Sequence, residues 1–327
     1  MNELEREIRE EIARRGPLPF ARFMELALYH PRWGYYCRPR DPFGVAGDYF
    51  TNAQLEPVFG RLIARQIAAW REELGGGEFT VVELGAGRGE AAREIRAALP
   101  GVPYLEVERR AGAMPERFTG VVWSNEFFDA LPVHVVRFAG GRWRERLVGL
   151  HAERFVWVED ELSSPLLADY LGRFGPRPAP DQVVEVNLEA LQWLDEIAAR
   201  LERGWVLTVD YGYTAPEIAG GRRFPNGSLI GYAHHMALED VLAGPGERDI
   251  TAHVAFTALA EHGETRGLRA QPLRTQARFL LSIGEGDEFA AALAAPDEPQ
   301  ARRHRMLLKT LLYAMGETFQ VLVQRKH

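Results

Sequence analysis

Three features of the 327-residue sequence support an α/β fold built on a Rossmann-like parallel sheet. The first is the run Val81-Val82-Glu83-Leu84, apolar except for one acid, which passes through Gly85-Ala86-Gly87-Arg88-Gly89 into a helical pattern from Glu90 to Leu99. A strand buried on both faces reads as a short apolar run, and a helix opening straight after it leaves unpaired backbone N–H groups at the strand's carboxyl end. The second is the alternation of strand and helix patterns that follows, the signature of parallel pairing. The third is the apolar run from Trp205 to Asp210, where a core strand resumes after a long excursion.

Taken in order, two helical patterns open the chain, Glu3 to Arg14 and Phe20 to Tyr29, separated by the breaker Gly16-Pro17-Leu18-Pro19. After an irregular stretch from Trp33 to Tyr49, residues Leu55 to Trp70 carry apolar side chains at helical spacing, and Gly75-Gly76-Gly77 separates them from the first sheet strand. This places an N-terminal helical cap at residues 1–78 and a core at 79–327. In the core the patterns predict strand Phe79 to Glu83, helix Glu90 to Leu99, strand Val102 to Val107 and strand Gly120 to Ser124. From Val133 to Val158 short β-prone runs alternate with turn residues such as Gly140-Gly141, as in a β meander. A β-rich insertion with helices therefore occupies about 133–180, with a helix at Ser164 to Arg173. Helix Leu188 to Leu201 leads into the strand at Trp205. The remaining expectations are helix His253 to Glu261, strand Thr265 to Arg269, helix Thr275 to Ser282, helices around Phe289 and from Arg303 to Tyr313, and a last strand Thr318 to Val323.

Composition narrows the function classes. A hydrophobic content of 46% suits a large buried core, and the net charge of -7 gives no general footprint for nucleic acid. Cys37 is the only cysteine, so no intramolecular disulfide forms, and the expected setting is a reducing cytoplasm. The charged start, Met1 to Arg15, is unlike a signal peptide, and no stretch approaches the roughly 18 apolar residues of a membrane span.

The glycine loop has the spacing G-x-G-x-G. A dinucleotide fingerprint requires a further glycine where Glu90 stands, which argues against a nicotinamide dehydrogenase. The spacing after an acid is similar to the S-adenosylmethionine loop of class I methyltransferases. Glu106, at the end of the second strand, is placed to hold both hydroxyls of a cofactor ribose, with Glu108 as its rival. A third patch, Asn125-Glu126-Phe127-Phe128-Asp129-Ala130-Leu131-Pro132, follows a buried strand. There Asn125 offers a carbonyl and an amide, Glu126 and Asp129 offer carboxylates for a cationic nucleophile, and the two phenylalanines offer walls against water. An arginine guanidinium is always charged and planar, so paired carboxylates orient it bidentately; Asp48 and Asp210 stand behind Glu126 and Asp129 as candidates. His234-His235 and His253 lack helical metal spacing and thiolate partners, so no metal site is expected.

Taken together, these pieces resemble the MidA-like S-adenosylmethionine-dependent methyltransferases, whose mitochondrial members are complex I assembly factors that dimethylate an arginine symmetrically. The resemblance rests on Phe23 to Pro31 with Gly34-Tyr35-Tyr36, Gly47-Asp48-Tyr49-Phe50-Thr51 leading to Pro57-Val58-Phe59-Gly60, and Glu83 to Gly89. It continues through Asn125 to Pro132, Asp210-Tyr211-Gly212, Gly231 to His235, Asp249 to Val254 and Thr275-Gln276. It implies a class I methyltransferase sheet completed by an antiparallel terminal strand, with N-terminal helices capping the cofactor. It further implies that Glu83, Gly85, Gly87, Gly89 and Glu106 bind S-adenosylmethionine, that Asp48 and Thr51 lie in a capping loop, and that Asn125, Glu126 and Asp129 face the reaction centre.

The sequence departs from the family pattern in three places. Between Glu106 and Asn125 there is room for about one strand fewer than the family holds, since a βαβ unit usually takes 30 or more residues. Ala255 stands where an acid is expected, and Ala277-Arg278 where Gly-Asp is expected. The leading reading is methylation of a protein arginine side chain, with a respiratory-complex subunit as a candidate substrate. The alternative is a catalytically reduced family member acting as an assembly or interaction protein. Closure of the adenine pocket by Met114, Pro115 or Phe118 separates the two.

Overall fold

The computed structural model describes residues 2–38, 55–221, 223–233 and 236–327. Asp48, Thr51, His234 and His235 lie outside the described residues. The chain opens with α1 (Glu3–Arg15), β1 (Leu18–Pro19) and α2 (Phe20–Tyr29), followed by α3 (Val58–Glu73), β2 (Thr80–Leu84), α4 (Glu90–Ala98), β3 (Tyr104–Val107) and β4 (Phe118–Asn125). Then come β5 (His134–Ala139), β6 (Arg142–His151), β7 (Arg154–Asp160), α5 (Pro165–Phe174), β8 (Val183–Val186), α6 (Leu188–Arg200) and β9 (Leu201–Tyr213). After α7 (Ala215–Ile218) follow β10 (Ile230–Ala233), β11 (Met236–Leu238), β12 (Asp249–Thr251), β13 (Val254–Ala255) and α8 (Phe256–Thr265). The chain ends with β14 (Arg269–Ala270), β15 (Arg274–Thr275), α9 (Gln276–Gly284), α10 (Ala290–Leu293), α11 (Glu298–Lys309) and β16 (Phe319–Lys326). No helix among the described residues is long and apolar enough to cross a membrane.

These elements form two compact units whose sequence segments interleave. One comprises Met1–Phe50, Phe128–Gln192 and Tyr213–Ala258; the other comprises Thr51–Phe127, Trp193–Gly212 and Leu259–His327. The second unit holds the central sheet, ordered β14-β16-β9-β4-β2-β3. Strands β3, β2, β4 and β9 run parallel, and β16 pairs antiparallel with β9, so a parallel sheet is completed by one reversed terminal strand. Beyond β3 the sheet has no further strand among the described residues, in keeping with the short segment after Glu106. Helix α3, which falls within the expected 1–78 cap, buries Leu62, Ile63 and Ile67 in the same core as sheet residues Val81, Val121, Trp123, Leu207 and Val321. Trp70 of α3 stacks on Trp205 of β9 with centroids 5.2 Å apart.

In the first unit, α1 and α2 pack with the β meander. Asn2 and Glu5 form a capping box that starts α1, satisfying N–H groups that the first turn leaves unpaired. Leu4, Ile8, Phe20, Phe23 and Met24 share a core with Val133, Val135 and Val148, and Phe20 meets Trp157 at 5.0 Å. The meander has strand order β1-β6-β5-β8, with β7 on β6. Strand β8 and the sheet β11-β10-β12 match no strand read from the sequence. The expected strand at Thr265 begins later, because α8 runs through Thr265, whose hydroxyl donates to the His262 carbonyl, and Gly267 makes the turn. The expected helix at His253 starts at Phe256, after β13.

The amino ends of β2, β4 and β9 come together at the register row Thr80, Gly120, Gly204. A Cβ on Gly120 would overlap the Thr80 carbonyl oxygen, and one on Gly204 would overlap the Gly120 carbonyl oxygen. Only glycine permits this approach. Gly120→Ala is therefore expected to cost more than about 3 kcal/mol in urea unfolding; a variant that unfolds at the wild-type midpoint would refute the close-approach account.

Candidate functional site

The strand tips of the central sheet carry the residues singled out from the sequence. In the turn after β2, Gly85, Gly87 and Gly89 have φ of 70°, 57° and 71°, a left-handed conformation that glycine adopts without steric cost. Gly85 donates its N–H to the Val107 carbonyl at 2.9 Å, tying the loop to the end of β3. Gly89 donates to Ala86 at 2.9 Å and serves as the N-cap of α4. A Cβ at Gly85 would lie 2.8 Å from a ring carbon of Phe127, whose ring in turn meets Trp193 edge-on at 5.1 Å. The loop backbone thus lies directly against an aromatic wall.

Glu83 is paired in register with Glu106 on β3 and Trp123 on β4, and it is 4% exposed. The Tyr104 hydroxyl donates to its carboxylate at 2.6 Å, and Trp123 Nε1–H donates to the Tyr104 oxygen at 3.1 Å. Burial, with Glu106, Glu108 and Glu56 nearby, pushes the Glu83 carboxyl up to about 8 against the opposing Tyr104 hydrogen bond. Burial and then Glu83 raise the Tyr104 phenol. This is a buried carboxylate held by a relay of donors from neighbouring strands, in a field made negative by further acids.

The two rival acids have separate places. Glu106 forms an ion pair with Arg96 of α4 at 2.7 Å, and its Oε2 lies 4.0 Å from where a Gly89 Cβ would stand. Glu108, just past the end of β3, accepts the Gly87 N–H at 3.1 Å, so its carboxylate sits on the glycine loop itself. Burial raises the Glu108 carboxyl, and the Gly87 N–H works against that rise. Sequence reasoning favoured Glu106 from its place on the strand; the signal for Glu108 is that its position just past the strand reaches the turn.

At the tip of β4, Asn125 is 7% exposed and donates its Nδ2 to Glu126 Oε1 at 2.9 Å. Glu126 has φ 52° and donates its N–H to the Val209 carbonyl at 3.0 Å. A non-glycine residue in that conformation costs about 1–3 kcal/mol and persists where its surroundings hold it, commonly at working sites. Asp210, at the tip of β9, is fully buried and accepts the Tyr211 N–H at 2.9 Å. Asp129 belongs to the other unit, is 4% exposed, and has its carbonyl bonded by the Ala252 N–H at 2.9 Å. His253, also in that unit, lies edge-on to Phe224 at 4.7 Å, and burial, then Arg223, pushes its imidazole down to about 4.

After Glu108 the chain folds back at once: Glu108 and Ala111 exchange backbone hydrogen bonds of 2.8 and 3.2 Å. Arg200 then donates to the Met114 and Pro115 carbonyls at 3.1 and 3.4 Å. Arg200 immediately precedes Leu201, the register partner of Phe118, so the Met114-Pro115 backbone is fastened at the amino end of β4.

The donor set fits S-adenosylmethionine. Its sulfonium and ammonium are cationic and its ribose presents two hydroxyl donors, and the strand ends offer one buried acid, Glu83, and two exposed ones, Glu106 and Glu108, beside a turn whose alternate residues lack a Cβ. The comparisons with known proteins agree. Residues 99–273, more than half of the chain, match the model of the family described as "Putative S-adenosyl-L-methionine-dependent methyltransferase". The chain is 31% identical to a likely methyl transferase from Burkholderia thailandensis whose crystal structure contains S-adenosyl-homocysteine; the TM-score is 0.88, over 99% of this chain and 92% of that one. It is 28% identical to a Drosophila melanogaster protein named protein arginine methyltransferase NDUFAF7 homolog, mitochondrial, over 81% of this chain and 70% of that protein. Its identity to the Homo sapiens protein arginine methyltransferase NDUFAF7 is 26%, over 96% of this chain and 81% of that protein. With its glycine loop, its acid-lined strand tips and its reversed terminal strand, the chain belongs to the family of S-adenosyl-L-methionine-dependent methyltransferases.

Proposed function

We propose that this enzyme methylates a guanidinium nitrogen of a protein arginine in the cytoplasm. The observation that carries the reading is the buried acid at the glycine loop, Glu83, with Glu108 bonded to the loop's own N–H. The relatives named as arginine methyltransferases support the acceptor, and the family resemblance supports a respiratory-complex subunit as the protein modified.

When bound, S-adenosylmethionine supplies a methyl group activated on a sulfonium. The chain's residues then divide the work. Gly85, Gly87 and Gly89 would let the backbone approach the cofactor; Glu108, seated on the Gly87 N–H, would accept from the ribose hydroxyls, with Glu106 beside it in an exposed ion pair with Arg96. In the strained tip of β4, Asn125 and Glu126 present an amide, a carbonyl and a carboxylate towards the acceptor, and Phe127 excludes water. Asp48 and Thr51 are assigned to a capping loop on the resemblance.

The direct test is transfer of labelled methyl from S-adenosylmethionine to arginine-containing protein. Label is expected in methylarginine, with Glu108→Gln raising the KM for S-adenosylmethionine about tenfold and Glu106→Gln changing it less than about threefold. The reverse order would return the ribose contact to Glu106, and label in lysine alone would overturn the acceptor.

Stability should also depend on Glu83. Its folded-state value, about 8, lies above the free value of 4.5, so the folded protein binds this proton more tightly than the unfolded chain does. The stabilisation is complete below about 4.5 and is lost as pH rises through about 8. Glu83→Gln, which stays neutral, should gain stability relative to wild type between pH 5 and pH 8 in denaturant titrations; a difference that does not vary with pH contradicts a protonated Glu83.

A further inference from the structure

Helix α11, in the unit that holds the central sheet, has two unlike sides. On its inner side His304 is buried, Leu307 and Leu308 pack against the core shared with α3 and β16, and Leu311 just beyond the helix is fully buried in it. On its outer side Arg302, Met306 and Lys309 stand four and then three residues apart and so form one stripe, with Arg303 beside it. All four are exposed, Met306 to 66%. The chain then winds through a single π turn, Thr310–Ala314, from which Tyr313 emerges 77% exposed. Such turns are rare and recur at functional sites. Among the described residues, Met306 and Tyr313 are the two most exposed large hydrophobic side chains. Helix α9, tied to this turn by Gln276 Nε2 on the Leu311 carbonyl at 3.2 Å, exposes Arg278 and Leu281 as well.

The unneutralised charge on α11 has one sign. Its acid Glu298 pairs with Arg305 at 2.6 Å, and its N-cap Asp297 accepts the Gln300 N–H at 2.8 Å. Among the described residues, Arg302, Arg303 and Lys309 have no acidic partner. Single exposed apolar residues are ordinary. Two of them on one helical ridge, bracketed by unpaired cations in a chain of net charge -7, have the composition of a helix that lies in an anionic interface.

We propose that the ridge of Arg302, Arg303, Met306, Lys309 and Tyr313 seats the protein on a bilayer surface bearing anionic lipid headgroups. The guanidinium and ammonium groups meet lipid phosphates, the Tyr313 ring lies at headgroup level with its hydroxyl in water, and the Met306 side chain enters the acyl boundary. Shape favours a bilayer over a peptide. Peptides are held in grooves or along sheet edges, whereas this is the convex outer side of one helix, which meets a peptide along a line but sinks into a soft interface. Each basic residue near an anionic surface adds about fivefold in affinity. The helix stays packed on its core and lies along the surface, so no spanning segment is needed. From the sequence, Arg303 to Tyr313 reads as an ordinary helix with basic residues facing water; the burial pattern is what puts Met306 and Tyr313 on the same outer side as the cations.

The test is cosedimentation of the full chain with vesicles of phosphatidylcholine alone and of phosphatidylcholine with about one-third phosphatidylglycerol. Wild type is expected to bind the anionic vesicles at least about tenfold more tightly than the neutral ones, and less tightly as salt is raised. Changing Arg302→Gln, Arg303→Gln and Lys309→Gln together should weaken that binding about tenfold or more, and so should Met306→Asp with Tyr313→Asp. All five side chains are exposed, so both variants should unfold at the wild-type temperature and keep S-adenosyl-homocysteine affinity within about twofold. Equal affinity for the two vesicle types, no binding to the anionic ones, or variants that bind like wild type would each overturn the proposal. Soluble polyglutamate that binds the ridge when vesicles do not would also overturn it, and would assign the ridge to an acidic protein.

Discussion

A carboxylate in the middle of a parallel sheet loses its hydration and must be given hydrogen bonds or a proton in return. Glu83 accepts a hydrogen bond from Tyr104, and burial pushes its carboxyl up to about 8 so that it keeps its proton; this end of the sheet is organised around that requirement. Tyr104 on one flanking strand donates to it, Trp123 on the other donates to Tyr104, and the three residues come from β2, β3 and β4. Register is thereby coupled to chemistry, because a one-residue slip of β3 or β4 turns the donor to the opposite face. The glycine turn that follows Glu83 is held by the end of β3 through Gly85 and by Glu108 through Gly87. The acid and its relay thus lie at the base of the same turn that is proposed to hold the cofactor.

The other unit solves the same problem by different means. Glu145 is fully buried between His134 at 2.7 Å and the Ser163 N–H at 2.6 Å, and these partners hold its carboxyl below the usual range despite burial. Glu185 in β8 accepts both the N–H and the hydroxyl of Ser228, at 2.8 and 2.9 Å, while burial raises its carboxyl. Partners reached from distant segments make each of these acids a specification of tertiary structure.

How much of this was legible in the sequence depended on whether the signal was local. The glycine turn, the apolar strands β2, β4 and β9 and the helices with their breakers stood out because spacing and burial coincide over a few residues. The missing strand after β3 was legible as a shortage of length, and among the described residues the sheet ends there. Strand β8 was not, since its four residues lie between a proline-rich loop and the start of α6 and its acid, Glu185, is met by Ser228 from a distant segment. The packing of α3 with the sheet, and of α1 and α2 with the meander, depends on contacts between distant segments that no window reveals. The choice between Glu106 and Glu108 was hidden for the same reason: both are acids near a strand end, and only the geometry shows that one meets Arg96 and the other the loop N–H.

The turn Gly85 to Gly89 is the proposed seat of the cofactor, and every other role follows from it. The most direct measurement is the amide ¹⁵N–¹H spectrum of the full chain during titration with S-adenosyl-homocysteine. The predicted result is that the amides of Gly85, Gly87 and Gly89 shift most, as the backbone meets the ligand and the Glu108 contact to Gly87 adjusts. Saturation of binding with those three amides unmoved, and the largest shifts elsewhere, would contradict it.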